Sequence, residues 1–237
     1  MRCGPIAIAS WRCIELKVDQ EEILEFDLIK NACLTSNSGL SIIPAYSYCY
    51  LLSKWVDPTT LSHYNDDNDI IESNFSKLTP LKQLSHLIKK IQKFEEKIEK
   101  FEFFKCESKL EYKYTSTIYI KIYNLIVKFG MKNIEKLMKK IFNLILNFAQ
   151  SCTKKTIYSC NDGFALASVI TSVISSIILT KEKNYSFLSI LKFVTLEGGD
   201  TDTVGCMLGS LLGAYYGSNS KLISLNFPYF VTQQILG

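Results

Sequence analysis

The stretch GGDTDTVGCMLGSLLGAYYG, residues 198–217, decides how this chain is read. Gly198 and Gly199 allow a sharp turn and a close approach of the backbone to a ligand, and they are the candidate substrate-binding positions. Asp200 and Asp202 follow at a spacing that turns both carboxylates toward one point as the backbone enters a helix, and Thr203 adds a hydroxyl beside them. An all-oxygen cluster, without Cys or His, suits a hard cation such as Mg²⁺ or Ca²⁺ better than zinc. Gly205, Gly209, Gly213 and Gly217 then recur at every fourth residue, on one face of a helix. Glycine costs a helix roughly 1 kcal/mol relative to alanine. A stripe of glycines therefore predicts a face used for close backbone packing, on a helix that is central and buried.

The same residues have a plainer reading. Asp and Thr are ordinary residues of a helix N-terminus, where they accept backbone N–H bonds and oppose the macrodipole. An isolated DTDT would be read as capping, and it is the flanking glycine pair and the stripe that favour a ligand site. The DxDxT spacing also occurs in haloacid-dehalogenase-like phosphatases, at the end of an apolar strand with a long α/β domain behind it. Only a short tail follows the motif here, so that reading is rejected.

Working outward, the periodicity is helical throughout. Residues 185–196 and 203–216 read as helices around the motif, and 161–178 reads as another. The stretch 163–180 is uncharged and borders on transmembrane length, but Ser168, Thr171, Ser172, Ser175 and Ser176 dilute it, which predicts a central buried helix instead. Residues 131–148 form an amphipathic pattern, with Ile134, Leu137, Met138, Ile141, Leu144 and Ile145 on one side. A long helix starts near Thr79 with Pro80 at its first position and Leu81, Leu84, Leu87, Ile88, Ile91 and Phe94 at helical spacing. Between them the pattern fades over 101–113. Residues 114–126 mix β-branched and aromatic side chains, a composition that also fits a strand; the helical surroundings decide for helix.

Further forward, residues 40–52 read as an aromatic helix with Pro44 in its first turn or at a kink, and 19–34 as an amphipathic helix. The acidic cluster at 65–69 lacks the glycine turn and distal Glu of an EF-hand loop and reads as a capping loop. His63 and His86 have no nucleophile nearby in the sequence. With no internal repeat and no linker, 1–237 reads as one all-α domain.

The 237 residues are 47% hydrophobic and 21% charged, a globular balance. The net charge of +4 is local, since lysines mixed with glutamates concentrate over about 77–155. That segment reads as a solvated helical face, because no nucleic-acid recognition signature accompanies it. Eight cysteines without a CxxC pair fit buried reduced thiols in an intracellular protein, cytoplasmic or nuclear, better than disulfides or zinc. No signal sequence and no membrane segment is expected.

GGDTDTVG followed by a small-residue helix ending in GAYYG resembles the C-terminal motif of the ADP-ribosylglycohydrolases, all-helical Mg²⁺-dependent enzymes. The likeness continues more faintly forward. Residues 161–170, NDGFALASVI, resemble the family's segment before its penultimate helix, with Ala167 in place of an acidic residue and Ile170 in place of a proline. Leu34 and Thr35 match a Leu-Thr-His segment in which Ser36 replaces the histidine, and Met1 and Arg2 match a Met-Arg pair that is internal in relatives. The resemblance implies a compact orthogonal helical domain. It also implies metal ligation by Asp200, Asp202 and Thr203, with Asp202 bridging two Mg²⁺ ions, and ADP-ribose or an ADP-ribosylated protein as the partner.

Relatives place a Thr-Asp-Asp metal motif, a catalytic Glu and phosphate-holding glycine loops ahead of the position that Met1 matches. The expectation is therefore a chain carrying only the C-terminal part of the family fold, with an incomplete metal site, no assigned catalytic residue and little activity of its own. Helices stripped of their partners would then show an exposed apolar face.

Overall fold

The computed structural model describes residue 25 and residues 39–56, 75–98, 109–152, 158–160 and 165–216. These form helices α1 (Gly39–Val56), α2 (Pro80–Ile98), α3 (Lys109–Phe129), α4 (Ile134–Cys152), α5 (Ala165–Leu179), α6 (Phe187–Thr195) and α7 (Thr201–Tyr216), with no strand among the described residues. The all-α class is as expected. The helix over 19–34, the acidic cluster at 65–69, His63 and the segments bearing Met1, Arg2, Leu34, Thr35 and Ser36 lie outside the described residues, Glu25 apart.

α5 is the centre of the bundle. It packs against α1, α2, α4, α6 and α7, and from Leu166 to Leu179 every side chain is buried. Several hydroxyls here are absorbed by the chain's own backbone, whereas the buried Ser175 Oγ has no hydrogen-bond partner among the described residues. Ser172 donates to the Ser168 carbonyl at 2.8 Å, Ser176 to Val173 at 2.7 Å and Thr180 to Ser176 at 2.6 Å. Back-bonding of this kind lets a hydroxyl sit in an apolar core without the cost of an unmet donor.

α1 lies against α5 and α7 on one side and α2 and α3 on the other. Pro44 falls in its second turn rather than its first, and the helix runs on through it. The Ser47 hydroxyl reaches the Pro44 carbonyl at 2.6 Å and the buried Tyr119 hydroxyl of α3 at 2.6 Å. Burial drives the Tyr119 phenol far above its ordinary pKa, so it stays protonated. Across the α1–α2 seam Tyr46 and Phe94 stack with ring centroids 4.0 Å apart and 15° between planes.

α2 starts at Pro80 as the sequence predicts, with the Thr79 side chain accepting from the Lys82 N–H at 3.4 Å. Leu84, Leu87, Ile88, Ile91 and Phe94 face inward, whereas Leu81 is half-buried. α3 is helical through the ambiguous 114–126 stretch. Its β-branched residues Ile118, Ile122 and Ile126 recur every fourth position and are buried, and that spacing outweighs strand propensity. α4 begins three residues later than its apolar pattern, because Gly130 turns the chain with φ of 63° and Asn133 caps the Lys136 N–H at 3.0 Å. Leu144 is only half-buried.

Two expectations about α7 are corrected. α7 is not the central helix: only Val204, Met207, Leu208, Leu211 and Leu212 are buried, against α1, α5 and α6. Nor does the glycine stripe meet a neighbouring backbone among the described residues. A Cβ added at Gly209 or Gly213 meets nothing within 4 Å, and one at Gly205 meets only the Thr195 methyl at 3.9 Å. The apolar residues of α7 claim its inward face, which leaves Gly205 and Gly209 half-buried and Gly213 and Cys206 exposed. Large exposed apolar side chains among the described residues are Val127, Phe129, Tyr158, Leu188 and Leu196, which fall in α3, in residues 158–160 and in α6 with its C-cap.

Candidate functional site

The glycine pair makes the turn between α6 and α7. Leu196, Glu197 and Gly198 donate back to Lys192, Val194 and Thr195 at 3.1, 3.2 and 3.1 Å, winding α6 to its end. Gly198 and Gly199 then adopt φ of 77° and 79°, a left-handed conformation that a side chain strains. Thr201 N–H bonds to the Gly199 carbonyl at 3.0 Å, and Val204 N–H to the Asp200 carbonyl at 3.1 Å, which opens α7. Asp200 thus stands at the cap, Asp202 in the first turn and Thr203 next to it.

This local winding brings the two carboxylates together. A hydrogen bond involving the Asp200 side chain, together with the Thr203 N–H at 2.8 Å, holds the Asp202 carboxyl below its ordinary pKa. Asp200 and Thr203 are half-buried and Asp202 is exposed, so the pair opens to solvent. The capping reading is visible here. Asp202 accepts a first-turn N–H, and the Asp200 side chain lies beside it.

A third element supports the turn, and sequence reasoning missed it. The Ser159 hydroxyl donates to the Glu197 carbonyl at 2.9 Å and lies 3.4 Å from that of Gly198. Its neighbour Cys160 is buried, and the Cys160 carbonyl accepts from the Thr171 hydroxyl of α5 at 2.9 Å. Residues 158–160 therefore brace the glycine turn against the central helix. A lone serine 38 residues from its partner carries no sequence pattern that announces this.

Burial, reinforced by the Glu197 carboxylate, pushes the Cys160 thiol up to about 11. At pH 8 about one such thiol in a thousand is ionised. Cys160 is therefore expected to resist iodoacetamide at pH 8 in the folded chain, while exposed Cys206 is alkylated. Mass-spectrometric mapping decides, and labelling of both at one rate would contradict the burial. Of the described cysteines, Cys49 and Cys160 are buried, Cys152 is half-buried and Cys206 is exposed.

The donor set fits one hard cation in part. Asp200 and Asp202 offer converging carboxylates and Thr203 a hydroxyl, but no group of three His, Cys, Asp or Glu gathers among the described residues. Two ions would need further carboxylates than these. His86 lies elsewhere, with its Nε2 2.8 Å from the Tyr50 hydroxyl between α1 and α2. A groove of about 570 Å³ runs along the outer side of α6 to the α3–α4 turn, lined by Met131, Lys132, Tyr185, Lys192 and Leu196 among others. None of residues 198–203 lines it, so the carboxylate pair is a surface feature and not the floor of that groove.

No curated protein and no solved structure matches the chain. The family model for ADP-ribosylglycohydrolase matches residues 1–223. That match runs through the front of the chain as well as the motif, so the expectation of a C-terminal portion only is not borne out. With the helical architecture and the glycine-aspartate turn at the head of α7, this match over most of the sequence establishes that the chain belongs to the ADP-ribosylglycohydrolase family.

Proposed function

We propose that Asp200, Asp202 and Thr203 hold Mg²⁺ and that, through it, the chain binds ADP-ribose, free or carried on a protein. The observation behind this is the meeting of the two aspartates at the turn from Gly198 and Gly199 into α7. When bound, Mg²⁺ supplies positive charge that grips sugar hydroxyls and lowers the pKa of a water. The protein's part is to place the two aspartates next to each other at the start of α7. The left-handed glycines leave no side chain between that point and an approaching ligand.

The reaction class is hydrolysis at the anomeric carbon of protein-linked or acylated ADP-ribose. Such a step needs a carboxylate to take a proton from water, and Asp200 and Asp202 are already committed to the cation. The paucity of carboxylates favours a second reading, in which the chain binds ADP-ribose without turning it over.

Calorimetric titration with ADP-ribose, with and without Mg²⁺, tests the binding. Heat that appears only with Mg²⁺ is the expected result; equal heat in EDTA would remove the metal from the proposal. Turnover of ADP-ribosylated peptides then separates the two readings: release of ADP-ribose supports hydrolysis, and binding without release supports the second.

A further inference from the structure

The α3–α4 hairpin carries Lys121, Lys128, Lys132, Lys136, Lys139 and Lys140 within residues 121–140, against one acid, Glu135. Among the described residues none of these lysines forms an ion pair; the one salt bridge there joins Lys97 to Glu25. Two of them cross the seam between the helices. Lys121 Nζ lies 5.9 Å from the Phe148 ring of α4, and Lys140 Nζ lies 3.4 Å from the Phe129 ring of α3. The lysines of both helices thus border one face, and Lys136, Lys139 and Lys140 share a side of α4.

The tip of this hairpin alternates apolar and basic residues. In VKFGMK, residues 127–132, Val127, Phe129 and Met131 interleave with Lys128 and Lys132, and Gly130 turns the chain. Val127 is 57% exposed and Phe129 44% exposed. An aliphatic and an aromatic side chain exposed beside ammonium groups that form no ion pair among the described residues match the two layers of a membrane interface. The lysines meet anionic headgroups while the apolar residues enter the boundary beneath them. A nucleic-acid backbone would use the charge but has no need of exposed Val127, and the face contains no arginine.

We propose that the α3–α4 tip docks this chain reversibly on an anionic membrane surface. Docking needs no spanning segment, and among the described residues no helix is long and apolar enough to cross a membrane.

Co-sedimentation with phosphatidylcholine vesicles, with and without phosphatidylserine, tests this. The chain is expected to bind the anionic vesicles at least tenfold more strongly than the neutral ones, with binding falling as salt rises. This comparison needs no variant. The triple change Lys128→Glu, Lys132→Glu, Lys136→Glu should lower binding at least tenfold, and Val127→Ser with Phe129→Ser should lower it severalfold at unchanged charge. Circular dichroism confirms that each remains helical. Equal binding to both vesicle types, or none, overturns the proposal. So does full binding by the Val127/Phe129 variant together with equally strong binding to single-stranded RNA, which would make the face a general polyanion surface.

Discussion

Changing Asp200 and Asp202 together to alanine is expected to weaken Mg²⁺-dependent binding of ADP-ribose at least a hundredfold, leaving the fold intact. Each hundredfold corresponds to about 2.7 kcal/mol, a modest demand for two charged ligands removed from one cation. The fold should survive because neither side chain belongs to the core: Asp202 is exposed and Asp200 half-buried. Its N-terminal contribution to α7 is a surface one, of order 1 kcal/mol. Calorimetry on the double variant, with circular dichroism alongside, makes the measurement. Undiminished Mg²⁺-dependent binding in a folded variant would mean that Asp200 and Asp202 serve only as helix-capping groups. Asp202→Asn alone should lose most of the effect, since the amide keeps the Thr203 hydrogen bond but not the charge.

Phe94→Ala should have the largest effect on stability. Phe94 is fully buried and stacked on Tyr46, so its removal strips contacts from both α1 and α2. Truncating a core phenylalanine costs about 3–5 kcal/mol. For a chain of this size each kcal/mol lowers Tm by about 2–4 °C, which puts the loss at roughly 10 °C. Lys93→Ala, one residue away and exposed, should change stability by less than about 0.5 kcal/mol. Thermal melts of the two variants side by side make the comparison. A loss at Phe94 no greater than at Lys93 would show that the α1–α2 seam is not packed as described.

The parts of the fold that were legible in the sequence are those where a local pattern and the tertiary demand agree. Pro80 could start α2 because its missing N–H is not needed there, and the apolar positions that follow are those that face the core. The serines of α5 marked a helix buried in protein, and their bonds to their own backbone show why the core tolerates them. The glycines of α7 misled because spacing alone identifies a common face but does not say what lies opposite it. Leu208, Leu211 and Leu212 compete for the inward direction and win it by the area they remove from water.

The site was half legible. Gly198, Gly199, Asp200 and Asp202 lie in one short run, and local backbone geometry alone brings the carboxylates together. Ser159 was invisible, because its role depends on chain segments that meet only after folding.

That brace makes the site and the core parts of one equilibrium. Glu197 hangs from Ser159, and Cys160 hangs from Thr171 in the middle of α5, so ordering of the turn is felt by the most deeply buried helix. Coupling of this kind is reciprocal. A ligand that steadies the turn also slows the opening of α5, and whatever loosens α5 weakens the grip on the ligand. On the function proposed above, a ligand held at Asp200 and Asp202 would therefore raise the chain's thermal stability.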